Sequence, residues 1–247
     1  MPEPETRSTL VDREAARVVE PEPAVEPELP VEPDDEDEGV GPAGSVGPVP
    51  AAGRGVGVLM VVAGALGLLA AMVLTIDRFK LLEDPNTQLA CNLSPFIACG
   101  PVMQSRAGAL FGFPNPLLGI IGFSVVLTTG VLRAAGVALP RWFHRGMQVG
   151  VLLAAVFITW LQTQSLYVIG ALCLWCMLVW SVTIPLAVAV TLENAATGRL
   201  GTGLQRLGTR LRPWTVTVVA VWYLVVLAAI GLRFYREFAL YWFGVAL

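Results

Sequence analysis

From Met147 to Leu192 the chain carries no Asp, Glu, Lys, Arg or His. At about 1.5 Å of rise per helical residue, this run is far too long for one bilayer crossing, which needs about 20 apolar residues. It is too apolar for a soluble domain. It therefore reads as two membrane-spanning helices joined by a tight reversal, and the polar and glycine punctuation in "QTQSLYVIG" (residues 162–170) is where the chain turns. Three further segments meet the same length criterion. They are "VGVLMVVAGALGLLAAMVLTI" (56–76), "NPLLGIIGFSVVLTTGVL" (115–132) and "WTVTVVAVWYLVVLAAIGL" (214–232). Five crossings in an all-α integral membrane protein are expected, with the termini on opposite sides. A composition that is 55% hydrophobic and only 14% charged agrees with that class.

The net charge of -3 conceals a division. Acidic residues dominate from Glu3 to Glu38, whereas the chain from Gly39 onward is basic and has only Asp77, Glu83, Asp84, Glu193 and Glu237 as acids. Residues 1–53 read as a disordered, Pro/Glu-rich cytoplasmic tail, too poor in large apolar side chains to bury a core. They lack the basic start and apolar centre of a signal peptide. Residues 54–193 are expected to form a four-helix redox bundle, with an extracytoplasmic cysteine loop over 77–115. Residues 194–247 supply a basic cytoplasmic link, the fifth span and a short tail whose aromatics (Phe234, Tyr235, Tyr241, Trp242, Phe243) suit a membrane interface.

Orientation follows from the Lys/Arg bias. Arg54, then Arg133, Arg141 and Arg145, then Arg199, Arg206, Arg210 and Arg212 fall on one side. Arg78, Lys80, Arg106, Arg233 and Arg236 fall on the other. The larger set marks the cytoplasm. This places the N-terminus inside, and the C-terminus and all four cysteines outside: Cys91 and Cys99 on a loop, Cys173 and Cys176 at the start of the fourth span.

One cysteine in a membrane helix is ordinarily a small buried side chain. Four on one oxidising face are different, because disulfides persist there, and three pairings are open. Two structural staples would account for Cys91 and Cys99. They account poorly for Cys173-x-x-Cys176, whose closed loop is too short to restrict an unfolded chain much. That spacing at a helix start is a redox arrangement, since free N–H groups and the helix dipole favour a thiolate there. Four thiolates would also suit zinc. However, the loose Cys91–Cys99 spacing and the lack of compensating charge argue against it, and we assign no metal. The single histidine, His144, lies on a cytoplasmic link, which excludes histidine-based catalysis on the cysteine face. Thiol–disulfide exchange needs none. Two dithiols in series suggest a relay from a large partner to a flat, lipid-soluble redox molecule, for which a quinone is the candidate. No nucleic-acid partner is expected. Asp77, Glu83 and Asp84 are the outer-side candidates for carrying protons.

The segment "ACNLSPFIACGPVMQSRAGALFGFPNPLLGIIGF", followed by "LCLWCMLVW", resembles the vitamin K epoxide reductase family, particularly its bacterial members. The motifs are the C-x7-C loop, the M-Q-S triplet, the F-G-x-P-N segment and the C-x-x-C, in that order, within residues 56–190. The disulfide-forming protein B family of quinone reductases places its C-x-x-C in the first external loop instead. The resemblance implies a four-helix bundle around a quinone pocket, here with a fifth transmembrane helix. It implies that Cys91 exchanges with a partner, that Cys99 passes electrons to Cys173, and that Cys176 reduces the quinone. Asn115 would hydrogen-bond a quinone oxygen and Ser105 would be structural support. Read from the residues alone, Asn115 is an N-cap of the second span and Ser105 a cap of the short segment after it. Bacterial relatives often continue into a thioredoxin-like domain, which the residues after Leu232 are too few to form. A separate exported thioredoxin-like (DsbA-like) protein is then the expected partner. The Ala/Val/Gly/Arg-rich, nearly lysine-free composition suggests menaquinone, with ubiquinone or phylloquinone as alternatives. Rival readings are a reductase of vitamin K epoxide serving another pathway, and a non-enzymatic scaffold with structural disulfides.

Overall fold

The computed structural model describes residues 51–94 and 96–243, with side chains described from 53 to 235 except 95. The acidic tail and the aromatic side chains of Tyr241, Trp242 and Phe243 lie outside that description. The helices are α1 (Ala51–Glu83), the short α2 (Cys99–Gln104), α3 (Pro116–Ala134), α4 (Arg141–Thr163), α5 (Leu174–Ala196), α6 (Thr202–Leu211) and α7 (Thr215–Phe243). Five helical segments are long and apolar enough to cross a membrane. Side chains such as Val216 (79% exposed) and Leu232 (78%) point away from the protein, the surface expected of a chain whose solvent is lipid. No strand element occurs among the described residues, and the protein is an all-α, multi-pass membrane protein.

Small residues let α1 and α3 approach closely, as membrane helices do where burial of apolar surface gives no drive between them. A Cβ on Gly64 would lie 2.7 Å from the Leu127 backbone nitrogen, and one on Gly130 would lie 2.6 Å from that of Val61. The central core joins Met60, Phe123, Val126, Val151 and Leu186 from α1, α3, α4 and α5. The expected reversal is a continuation of α4 in wider π-helical turns over Gln164–Ile169, closed by Gly170 at φ 70°. Only a residue without a Cβ adopts that left-handed conformation freely. Four residues later, at Leu174, α5 begins.

Pro185 sits within α5. It has no N–H to give to the carbonyl of Ser181, four residues earlier. The Tyr223 hydroxyl of α7 donates to that carbonyl instead, so a neighbouring helix satisfies the group that proline freed.

At the end of the bundle opposite the cysteines, Arg133 Nη2 lies 2.6 Å from both carboxylate oxygens of Glu193. Gln148 donates to Thr191 at 2.8 Å and accepts from Asn194 at 3.0 Å. Arg199 donates to Asn194 at 3.2 Å. Arg133, counted above in the Lys/Arg bias, is buried and ion-paired inside the bundle.

Three other sequence expectations change. The first span runs to Glu83, so the cysteine loop begins later than residue 77. The basic link contains an amphipathic helix, α6, whose Gly208 packs on Ala195 and Ala196 of α5. The short C-terminal tail is instead a continuation of α7 to Phe243. Within it Phe234 is 1% exposed and packs on Phe96 of the cysteine loop, with ring centroids 6.2 Å apart. It is a core residue rather than an interfacial anchor. Tyr235 is exposed.

Candidate functional site

The loop after α1 starts with a turn in which Asp84 Oδ1 accepts from the Asn86 N–H at 3.0 Å. Gln104 of α2 donates back to the Pro85 carbonyl. Cys91 and Cys99 are joined by a disulfide. Next to Cys91, Asn92 turns its amide oxygen onto the N–H groups of Cys99 (3.0 Å) and Gly100 (3.5 Å). It thereby satisfies two of the donors that any helix start leaves open.

The loop is then stitched to the segment before α5. The Leu172 N–H donates to the Phe96 carbonyl at 2.8 Å, and the Ala98 N–H donates to the Leu172 carbonyl at 2.9 Å. This is a single parallel bridge between Ile97 and Leu172. Cys173 directly follows Leu172 and Cys99 stands two residues after Ile97, so the register of two backbone bonds brings Cys99 and Cys173 together. Their Sγ atoms are 3.2 Å apart, and both residues are fully buried.

Cys173 occupies the N-cap of α5, where its sulfur accepts from the Cys176 N–H at 3.4 Å. Cys173 and Cys176 are free thiols. The Cys173 thiol is held below its ordinary value, first by the hydrogen bond from the Cys176 side chain and then by the N–H groups of Cys176 and Trp175. Burial and the Asp77 carboxylate act in the opposite direction. Of the acids considered as proton carriers, Asp77 is buried and ion-paired with Lys80 at 3.3 Å. Glu83 and Asp84 are exposed. A disulfide with a third sulfur in contact with it, itself one half of a dithiol, is competent for exchange without any acid or base of its own.

Beyond Cys176 lies a cavity of about 1150 Å³. Cys176 and Asn115 are both on its wall, among apolar side chains including Met103, Phe123, Val126 and Leu186. The size and lining fit a flat, apolar ligand with polar edges. Asn115 stands at the N-cap position of α3 but makes no side-chain cap bond, because its own backbone is helical. Its amide oxygen instead accepts from the Leu110 N–H at 3.1 Å, and its amide nitrogen donates to the Ala107 carbonyl at 2.6 Å. One amide hydrogen is left for a ligand. Ser105 Oγ donates to the Val102 carbonyl at 2.7 Å and accepts from the Gly108 N–H at 3.2 Å, closing the turn after α2.

All six residues singled out from the sequence thus lie around one end of the bundle. Asn92 was missed, although an Asn directly after a cysteine in "CNLS" is a turn and capping signal. The backbone bridge has no side-chain signature at all.

The family model described as the vitamin K epoxide reductase family matches residues 58–191, more than half of the 247-residue chain. No curated protein matches the chain.

Proposed function

This chain belongs to the vitamin K epoxide reductase family, a membrane oxidoreductase family, and from that premise we propose a thiol relay that sustains disulfide formation outside the cytoplasm. The relay oxidises an exported thioredoxin-like (DsbA-like) dithiol partner and delivers its electrons to a membrane quinone, with menaquinone the expected one. The observation that carries the reading is the 3.2 Å approach of Cys99 and Cys173.

The electrons balance as follows. A partner thiolate attacks Cys91, the Cys91–Cys99 bond breaks, and Cys99 leaves as thiolate. The partner's second thiol displaces Cys91 and completes the partner's disulfide. Cys99 then attacks Cys173 in an oxidised Cys173–Cys176 pair and releases Cys176. Cys91 closes on Cys99 again, leaving the outer disulfide and inner dithiol seen here. Reforming the inner disulfide releases two electrons and two protons, which a quinone accepts as it becomes the hydroquinone. Cys176, on the cavity wall, is the sulfur that faces that acceptor, and Asn115 offers its remaining amide hydrogen there. Cys91 is 2% exposed, so a large partner has to open the loop over 84–98 locally before it can exchange. In this reading the cysteine end faces outward, and the Arg133–Glu193 end faces the cytoplasm.

The test uses purified protein, a reduced thioredoxin-like partner and a menaquinone analogue, with quinone reduction followed by absorbance. Wild type turns over. Cys176→Ala gives none, and Cys91→Ala loses partner oxidation while keeping the inner pair reactive. Full turnover by Cys176→Ala would overturn the assigned order. Offering the quinone epoxide in parallel separates this reading from an epoxide reductase.

A further inference from the structure

Among the described residues, Arg78 is the one charged side chain on the wall of the cavity that Cys176 and Asn115 share. It sits near the end of α1, half-buried, and its Nε is fully covered without a hydrogen-bond partner. The acid beside it, Asp77, is taken by Lys80. No ion pair involves Arg78 among the described residues.

A guanidinium donor kept from water with no acceptor is rare, because buried N–H groups are paired almost without exception. A cation placed against the apolar interior of a membrane bundle is costly and points to function. Asn115 is bonded to Leu110 and Ala107 and makes no hydrogen bond to Arg78. Because Nε is sealed by protein atoms, a ligand oxygen in the cavity would meet the terminal Nη groups of the same guanidinium, and such a ligand must otherwise suit apolar walls.

We propose that Arg78 binds a carbonyl oxygen of the quinone and holds the negative charge that develops there while Cys173 and Cys176 become a disulfide. This rests on the quinone-reduction reading above. In that reaction the dithiol gives up two electrons and two protons, and the two oxygens of the acceptor end as hydroxyls. Arginine keeps its own proton throughout. Its contribution is a fixed positive charge that strengthens as the oxygen gains electron density, in a low-dielectric site where such a charge acts strongly.

The experiment measures menaquinone-analogue binding to the purified full chain by quenching of tryptophan fluorescence, with Trp142, Trp160 and Trp180 on the cavity wall as reporters. A hydrogen bond from a charged donor translates into a loss of roughly tenfold or more in affinity for Arg78→Gln, with Arg78→Lys between the two. In both variants the Cys99–Cys173 exchange, followed by disulfide mapping, stays as in wild type. If Arg78→Gln does not give a folded protein by thermal melting, the Lys variant decides, and it must still bind more weakly than wild type. Affinity unchanged within twofold in the folded variants overturns the proposal for Arg78 alone. Wild type that neither binds nor reduces the quinone overturns the parent reading, and this one with it.

Discussion

At Cys173 one sulfur accepts from the Cys176 N–H, receives the Cys176 thiol hydrogen bond and touches Cys99. The hydrogen bonds favour the thiolate, while burial and Asp77 oppose it. Because the net shift is downward, the reactive thiolate persists at pH values at which an ordinary thiol is already protonated. Removing the strongest favourable contact reverses this. In Cys176→Ala the pH midpoint for Cys173 alkylation, read by mass spectrometry, is expected to rise above that of wild type. An unchanged midpoint would remove the hydrogen bond as its cause. The four sulfurs were legible from sequence because reactive cysteines have no substitute in residue type and their spacing is local. Asn92 and Arg78 were not, since each takes its meaning from a partner, or the lack of one, that only the folded loop and cavity provide.

Helix contacts carry their own tests. Tyr223 on α7 serves the carbonyl that Pro185 leaves open in α5. Tyr223→Phe keeps the ring and removes the donor, which costs about 1–3 kcal/mol where the acceptor faces lipid rather than water. The expected result is a lower melting temperature in detergent and earlier protease access to α7. Melting that matches wild type would mean that the carbonyl finds another donor. Between α1 and α3, Gly130→Val pushes a side chain onto the Val61 backbone, and overpacking of this kind costs about 1–3 kcal/mol or more. Melting and quinone turnover should therefore fall together, while a fully stable Gly130→Val would refute the close approach. The spans were readable because lipid demands a length and a composition. Helix α6 was hidden by its arginines, which the charge bias absorbs, although Leu204 and Leu207 recur at helical spacing. The end of α7 was hidden because nothing in its sequence announces that Phe234 packs on Phe96.

The whole molecule separates its polar work. Arg133, Glu193, Gln148 and Asn194 close one end, and the cysteines and Asp77 occupy the other. Breaking a buried ion pair by removing one partner costs about 3–5 kcal/mol. Glu193→Ala should accordingly lower the melting temperature while leaving the pairing of the cysteines unchanged. Loss of correct pairing in the folded variant would show that the two ends are coupled. The relay itself is a claim about distance across the fold, from a loop after α1 to the start of α5, and it is best tested with the other two sulfurs gone. In the Cys91→Ala/Cys176→Ala double variant, the purified protein is oxidised mildly, digested under non-reducing conditions and mapped by mass spectrometry. The expected product is a Cys99–Cys173 disulfide in most molecules. Two thiols that remain separately alkylatable in the folded protein would contradict the electron path.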